Sequence, residues 1–382
     1  MPDNSFQLRL IQPRFDSTLN EAIVELETLR RLVLQGDTPA AIFFQLKDIF
    51  HLLESLGSAR IEGNHTTLAD YIETKVSERV ASPKEDIKEI QNIEEALAYI
   101  DSIAEPGFEI THGFLRELHQ LTVQGLSIDK EGDTSPGKYR LKNVRISGSQ
   151  HAPPDSMRVQ DYMDELLDFI NKKEKPIFDL IKVALAHHRF AWVHPFGNGN
   201  GRVVRLFTYA LLMKFGFNVK TGGRILNPTA VFCNDREKYY DMLTKADAGT
   251  DEGLEEWAAY ALSGIKHELS KVDKLAKHDY LKSKILFPAI GDAQEKGLLS
   301  ANEKKVLRLA AERGEFKAGD LKELLPKLTS RQLTYQLAKL NENRMIKPVE
   351  VNARTYVIDF TSSVLLRGVM QALKKEGFTS SL

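Results

Sequence analysis

The segment PIFDLIKVALAHHRFAWV, residues 176–193, constrains the fold more than any other part of the chain. It is apolar on nearly every side, so as a helix it belongs at the centre of a helical body, covered all round. Helical periodicity dominates its surroundings. Ile23, Leu26, Leu29 and Val33 share one side of a helix over 19–34, which Gly36-Asp37-Thr38-Pro39 breaks. A second helix, 41–61, carries Phe44, Ile49, Leu52, Leu53 and Leu56. The same spacing predicts helices over 84–103, 111–122, 154–171, 201–214, 235–246 and 253–277. The strand signal before residue 299 is small. GKYRLKNVRISGSQHAPPD, with Val144-x-Ile146 set between Gly137, Gly148, Pro153 and Pro154, reads as one short β-hairpin.

The character changes after residue 299. A helix over 302–312 and a short one over 318–325 precede a third that Thr329 can cap, running to Asn341 with Leu333, Leu337 and Leu340 on one face. Strands at 346–351 and 355–358 flank a turn at Asn352-Ala353. Three helices followed by a hairpin is the order of a winged helix. This part holds 15 Lys/Arg against 9 Asp/Glu, whereas residues 1–298 hold 37 against 44. The asymmetry fits a separate module with an anionic partner, and equally a basic surface with none. The third helix presents Arg331, Tyr335 and Lys339 outward, which suits DNA; such modules also serve as plain protein–protein contacts. The fold class is mainly α.

At 382 residues, two or three domains are expected. Apolar residues make up 42% and charged residues 27%, which places the chain among soluble globular proteins. No stretch approaches the roughly 20 apolar residues of a membrane span. No cationic stretch followed by an apolar run opens the chain, so no secretory signal is expected. The single cysteine, Cys233, cannot form an internal disulfide, and a cytoplasmic location fits.

The chemistry is concentrated in HPFGNGNGRVVR, His194 to Arg205. Pro195 disfavours helix at His194, so the imidazole stands where the buried helix ends. Three glycines in five residues allow positive φ and let a ligand approach the backbone. Their N–H groups can form a concave anion nest, backed by the positive end of the next helix. Arg202 and Arg205, three apart in that helix's first turn, share a face, and guanidinium forks suit phosphate oxygens. A base, a nest and two phosphate clamps suit phosphoryl or nucleotidyl transfer, with His194, of ordinary pKa near 6.5, as the base. No Gly-Lys-Ser/Thr follows a strand, and a helix rather than a strand precedes the glycines, which argues against a P-loop or a Rossmann fingerprint. His187 and His194 are too sparse a pair for a zinc site. A glycine-rich turn bearing two surface arginines remains the plain alternative.

This segment closely resembles the signature of the Fic (Fic/Doc) family, H-x-F-x-[D/E]-G-N-G-R-x-x-R. AHHRFAWV resembles the family's buried helix, GKYRLKNVRISGS its β-hairpin flap, and REKYYDMLTKAD a later helix with a tyrosine near the nucleotide base. The resemblance covers roughly residues 1–275. It implies an N-terminal helical region (1–105) and a Fic-type helical core with a flap (106–278); the winged helix read from the order of elements (299–382) lies beyond it. It further implies a protein adenylyltransferase that moves AMP from ATP to a Ser, Thr or Tyr hydroxyl of a target protein, or of itself. His194 would be the base and Phe196 an apolar anchor. Gly199, Asn200 and Gly201 would form the phosphate nest, with Arg202 on the β-phosphate and Arg205 on the γ-phosphate. Tyr239 would line the base pocket or serve as a core aromatic. Asn198 stands where the family has an acid for Mg2+, and Asp247 where relatives have Asn, which bears on the metal and the donor. Upstream, Ser58-Ala59-Arg60-Ile61-Glu62-Gly63 resembles the family's inhibitory motif, with Ser58 and Glu62 on one helix face. Related proteins also include de-AMPylating enzymes and dimers, and a transcription regulator using the Fic core as a sensor is the other reading.

Overall fold

The computed structural model describes residues 6–31, 37–76, 84–146, 149–217, 230–350, 354–361 and 364–378. The first part runs through α1 (Thr18–Arg31), α2 (Ala40–Ile61), α3 (Leu68–Val76), α4 (Glu85–Ile103) and α5 (His112–Val123). Then come α6 (Val159–Asn171), α7 (Asp179–Val193) and α8 (Asn200–Lys214), and α9 (Ala230–Asn234), α10 (Arg236–Ala246) and α11 (Asp251–Val272) complete the body. Residues 32–34 of the expected first helix lie outside the described residues.

Helix α7 is the covered core helix that its sequence requires. Leu180, Ile181, Val183, Ala184, Leu185, Ala186, Phe190 and Trp192 are all buried. Its buried polar side chains each have a partner, as burial demands. Lys182 Nζ donates to the Lys172 carbonyl, His187 sits between Thr208 and Tyr239, His188 meets Asp247, and Arg189 donates to Glu165. Caps mark the helix starts: Thr111 Oγ1 accepts from Phe114 N, and Asp235 Oδ1 accepts from Lys238 N.

The C-terminal part comprises α12 (His278–Tyr280), a π-helical stretch Leu281–Leu286, α13 (Phe287–Glu295) and α14 (Ala301–Arg313). There follow β1 (Phe316–Lys317), α15 (Asp320–Leu324), α16 (Ser330–Glu342), β2 (Ile346–Pro348), β3 (Thr355–Ile358) and α17 (Leu365–Lys375). The strands form one antiparallel sheet in the order β1-β3-β2, with Phe316 opposite Tyr356 and Ile346 opposite Ile358. Thr329 and Gln332 close a capping box at α16, as do Ser300 and Glu303 at α14. Of the expected outward residues on α16, Arg331 and Tyr335 are exposed, whereas Lys339 is tied to Glu303 at 2.7 Å. The turn at 352–353 lies outside the described residues.

Residues 279–298, assigned to no unit from sequence, pack with this part. A Cβ on Gly368 of α17 would stand 2.9 Å from the Ala289 Cα of α13, so the two helices touch where only glycine fits. The same part docks on α2. Gln45 Nε2 donates to the Ile358 carbonyl (2.8 Å), and Gln45 Oε1 accepts from Phe360 N (3.0 Å).

At the hairpin expected near Val144, no strand is assigned among the described residues of 138–156, and residues 147–148 lie outside them. Side chains replace the ladder. Arg140 donates to the carbonyls of Lys142, Pro154, Val193 and His194, and Asn143 bonds Asp155 and Ser156 N. Pro153 and Pro154 lack the N–H groups that a partner strand would need. The two arms are thus held together by side chains, with Ser149 N donating to Ile146 O at 3.3 Å between them, and Arg140 staples them to the end of α7. Among the described residues, no helix is long and apolar enough to cross a membrane.

Candidate active site

The loop joining α7 to α8 begins at His194, whose φ of 50° places it in the left-handed region as the C-terminal cap of α7. Its N–H still donates to Phe190 O at 3.0 Å. Arg140, 6% exposed, donates through Nε to the His194 carbonyl at 2.8 Å and through Nη2 to Val193 O at 3.2 Å. A cation on the last carbonyls of α7 complements the negative end of its dipole. Burial pushes the His194 imidazole down to about 4, against a hydrogen bond to the Ala191 backbone that favours the protonated ring. At neutral pH the ring is uncharged and able to accept a proton.

Phe196 is fully buried, as an anchor should be, and stacks on His119 at 3.9 Å between centroids. Asn200 braces the loop, its amide exchanging two hydrogen bonds with the backbone of Phe196 (2.9 and 3.0 Å). Gly199, at φ 73°, caps α8 without a side-chain bond. The first N–H groups of α8 have no intrahelical acceptor, and its first turn holds no acid of its own.

What lies over that helix end is Glu62. A Cβ on Gly201 would meet Glu62 Oε1 at 2.1 Å, so the carboxylate rests against the Gly201 backbone. Arg205, 1% exposed, donates from Nη2 to Glu62 Oε1 at 2.7 Å, and from Nε to Ser58 Oγ at 2.8 Å. Ser58 and Glu62, four apart at the end of α2, thus grip one guanidinium. Burial disfavours the charged Glu62, but Arg205 and Arg202 outweigh it and hold the carboxyl below its usual range. Glu62 in turn raises Arg205 despite its burial.

Arg202 is fully buried as well, which disposes of the surface-arginine alternative. Its Nη2 donates to Glu131 Oε2 (2.8 Å) and to the Glu131 carbonyl (2.9 Å), while Nη1 faces Glu89 Oε1 at 3.0 Å. Burial pushes the Glu89 carboxyl up to about 7 against the pull of Arg202. The second oxygen of Glu89 accepts from Asn64 Nδ2 at 2.7 Å, just beyond Glu62 in the chain. Arg202 Nε and Arg205 Nη1 find no hydrogen-bond acceptor among the described residues.

Three more of the expected residues have defined partners. Asn198 Oδ1 accepts one hydrogen bond, from Gly199 N at 2.7 Å, and its Nδ2 donates to the carbonyls of Lys130 and Gly132. Among the described residues, no group of three His, Cys, Asp or Glu is placed to hold a metal. Asn198 braces the loop, and its oxygen keeps a second lone pair. Tyr239 takes the core place. It is 2% exposed, its hydroxyl meets His187 Nε2 at 2.9 Å, and its ring packs on Phe232. Asp247 pairs with His188 at 3.0 Å.

Several residues of the site carry no local signal in the sequence. His119 donates to the Asn198 carbonyl and accepts from Gly137 N. Asp133 accepts from Asn198 N at 2.8 Å. Glu89, Glu131, Asn64 and Arg140 belong to the same shell.

Comparison with known proteins places this geometry. Residues 109–212 match the Fic/DOC family model. A stretch of 197 residues is 32% identical to a protein adenylyltransferase Fic of Nematostella vectensis, covering 50% of this chain and 42% of that protein. A stretch of 221 residues is 31% identical to the Aedes aegypti protein of the same name, covering 56% and 40%. The matched region thus spans about two-fifths of these relatives. In fold, the chain is similar to a Fic family protein from Desulfovibrio desulfuricans G20, with a TM-score of 0.56 at 20% identity over 93% of this chain and 98% of that one. A Fic domain containing signaling protein from Bacteroides thetaiotaomicron gives 0.51 at 19%, over 68% and 97%.

Proposed function

We propose that this chain, whose residues 109–212 form a Fic/DOC family domain, is a protein adenylyltransferase held in check by its own Glu62. The observation that carries the reading is the carboxylate of Glu62 lying in the Gly201 nest on Arg205, in the place suited to a phosphate. The names of the curated relatives support the same activity.

The target hydroxyl gives its proton to the neutral His194 ring while its oxygen bonds to the α-phosphorus of ATP. The bond from that phosphorus to the β-phosphate bridging oxygen breaks, and pyrophosphate leaves. Arg205 and the first turn of α8 hold the outer phosphates and neutralise the charge that grows on them. With Glu62 on Arg205, the donor lies askew for in-line attack, and a misplacement of about 1 Å costs on the order of 10²-fold in rate.

Labelled ATP incubated with the full chain and with Glu62→Gly tests this by mass spectrometry of the chain and of candidate targets. The variant should label strongly, and the double variant with His194→Ala should not. If Glu62→Gly instead loses the ability to strip AMP from a modified target, Glu62 is orienting water and the enzyme works in reverse. The C-terminal part we read as a winged helix, supported by its order of helices and strands. Duplex DNA titrated against the full chain at low salt tests whether exposed Arg331 and Tyr335 face nucleic acid; no binding favours a protein partner.

A further inference from the structure

Both arginines of the nest carry a carboxylate, and only one of those comes from the α2 motif. Arg205 holds Glu62 at 2.7 Å, and Arg202 holds Glu131 at 2.8 Å. The two pairs are built alike. The guanidinium side chains are sealed, at 1% and 0% exposure, and the carboxylates are partly open, at 25% and 30%. The remaining acid, Glu89, is 3% exposed and stays behind Arg202, facing its Nη1 at 3.0 Å. Glu62 also adds to the raising of Glu131, so the two negative charges are close enough to repel.

We propose that Glu131 is a second positioning carboxylate of the nucleotide site, occupying Arg202 in place of a donor phosphate as Glu62 occupies Arg205. The identity of the ligand rests on the adenylyltransferase reading; the competition for Arg202 does not.

The loop that delivers Glu131 is independent of α2. Lys130 N and Gly132 N both donate to Ser127 O, and a Cβ on Gly132 would stand 2.3 Å from Leu126 O, so the turn is tight. Arg202 also holds the Glu131 carbonyl at 2.9 Å. The carboxylate can therefore swing out by side-chain rotation while the loop stays pinned through its backbone. It follows that removing Glu62 frees only half of the site. The outer phosphate gains Arg205, but the phosphate beside it still meets a negative charge on Arg202.

The expected signature is a split between KM and kcat. In full-length Glu62→Gly, adding Glu131→Gln should lower the KM for ATP about tenfold, because a like charge is removed from a screened site, and change kcat little. Glutamine keeps a contact to Arg202 without the charge, so the melting temperature should hold. Glu131→Gln alone should tighten ATP binding, read by calorimetry, while transfer stays low behind Glu62. Glu85→Gln is the control: this acid holds the same loop through Ser127 N and Oγ, and its loss should leave ATP affinity unchanged. Unchanged or weaker ATP binding in Glu131→Gln, or an equal gain in Glu85→Gln, overturns the proposal. If Glu131→Gln tightens ATP binding yet no variant transfers AMP, the latch stands and the adenylyltransferase reading fails.

Discussion

His194 sits in a conformation that costs an L-residue about 1–2 kcal/mol, and the neighbours on both sides account for it. Pro195 forbids a further helical turn, and Arg140 fixes the carbonyls of Val193 and His194. Such strain is retained where it aims a side chain. Because burial lowers this imidazole to about 4, transfer by Glu62→Gly should stay level as pH falls through 6.5 and drop only toward 4. A rate profile bending near 6.5 would show that the ring is solvated when it acts. Asn198 offers a second residue-scale test. Asn198→Asp removes two donors from the Lys130 and Gly132 carbonyls and sets a charge beside Asp133. We expect a loss of about 1–3 kcal/mol in a melting experiment. A tighter Mg2+ response from the folded variant would mark position 198 as a ligand of the ion. The motif HPFGNGNGRVVR was legible because its chemistry is local: one proline, three glycines and two arginines in register. Its supports were not, because His119, Asp133 and Arg140 come from 54 to 79 positions away and contact the loop mainly through its backbone. Backbone partners leave no trace in residue type at the loop.

Among the elements, α2 has two ends with different duties. Its C-terminal turn delivers Ser58 and Glu62 to Arg205, and its N-terminal half is bolted to β3 and the residue pair after it through Gln45. Helical spacing revealed the helix, and the Ser58–Glu62 pair revealed the contact face. Nothing in the sequence tied Gln45 to residues more than 300 positions away. Gln45→Ala leaves the buried Ile358 carbonyl and Phe360 N–H unpaired, a loss of about 2 kcal/mol in denaturant unfolding. If the docking also steadies the brake, the same variant should leak AMP transfer above the natural chain and below Glu62→Gly. Full stability in Gln45→Ala would mean that water replaces the amide at no cost. The flap shows the opposite limit of legibility. Val144 and Ile146 alternate as in a strand, but the period-2 pattern does not supply a partner. Arg140 and Asn143, to which the sequence pattern gives no role, take the ladder's place.

At the scale of the whole molecule, buried histidines couple the helices to pH. His51 of α2 lies 3.3 Å from the Tyr209 hydroxyl of α8, and that hydroxyl donates to Asp101 of α4 at 2.7 Å, with Lys47 paired to the same carboxylate. Burial lowers His51 to about 4 against the attraction of Asp101, lowers His194 to about 4, and depresses His187 and His188 as well. In the unfolded chain these rings take up protons below about 6.5; in the folded chain His51 and His194 resist until about 4. Between those values the unfolded state binds more protons, so stability falls as pH falls. Glu89 works the other way. Raised to about 7, it binds its proton first in the folded state and returns some stability between 7 and its ordinary 4.5. Glu131, Asp48 and Asp179 are raised too and act in the same sense. With four depressed histidines, three of them strongly, the destabilising side should prevail, and the melting temperature should decline steadily from pH 7 to pH 5. Glu62 and Asp133, held low by their partners, add their losses only below about 4. His51→Gln isolates one ring: it keeps a polar contact for Tyr209 and cannot titrate. Its unfolding free energy should fall less steeply between pH 6 and 5, by up to about 1.4 kcal/mol per pH unit relative to the natural chain. An unchanged slope would mean that His51 is protonated in the fold and already ion-paired with Asp101, 3.6 Å away.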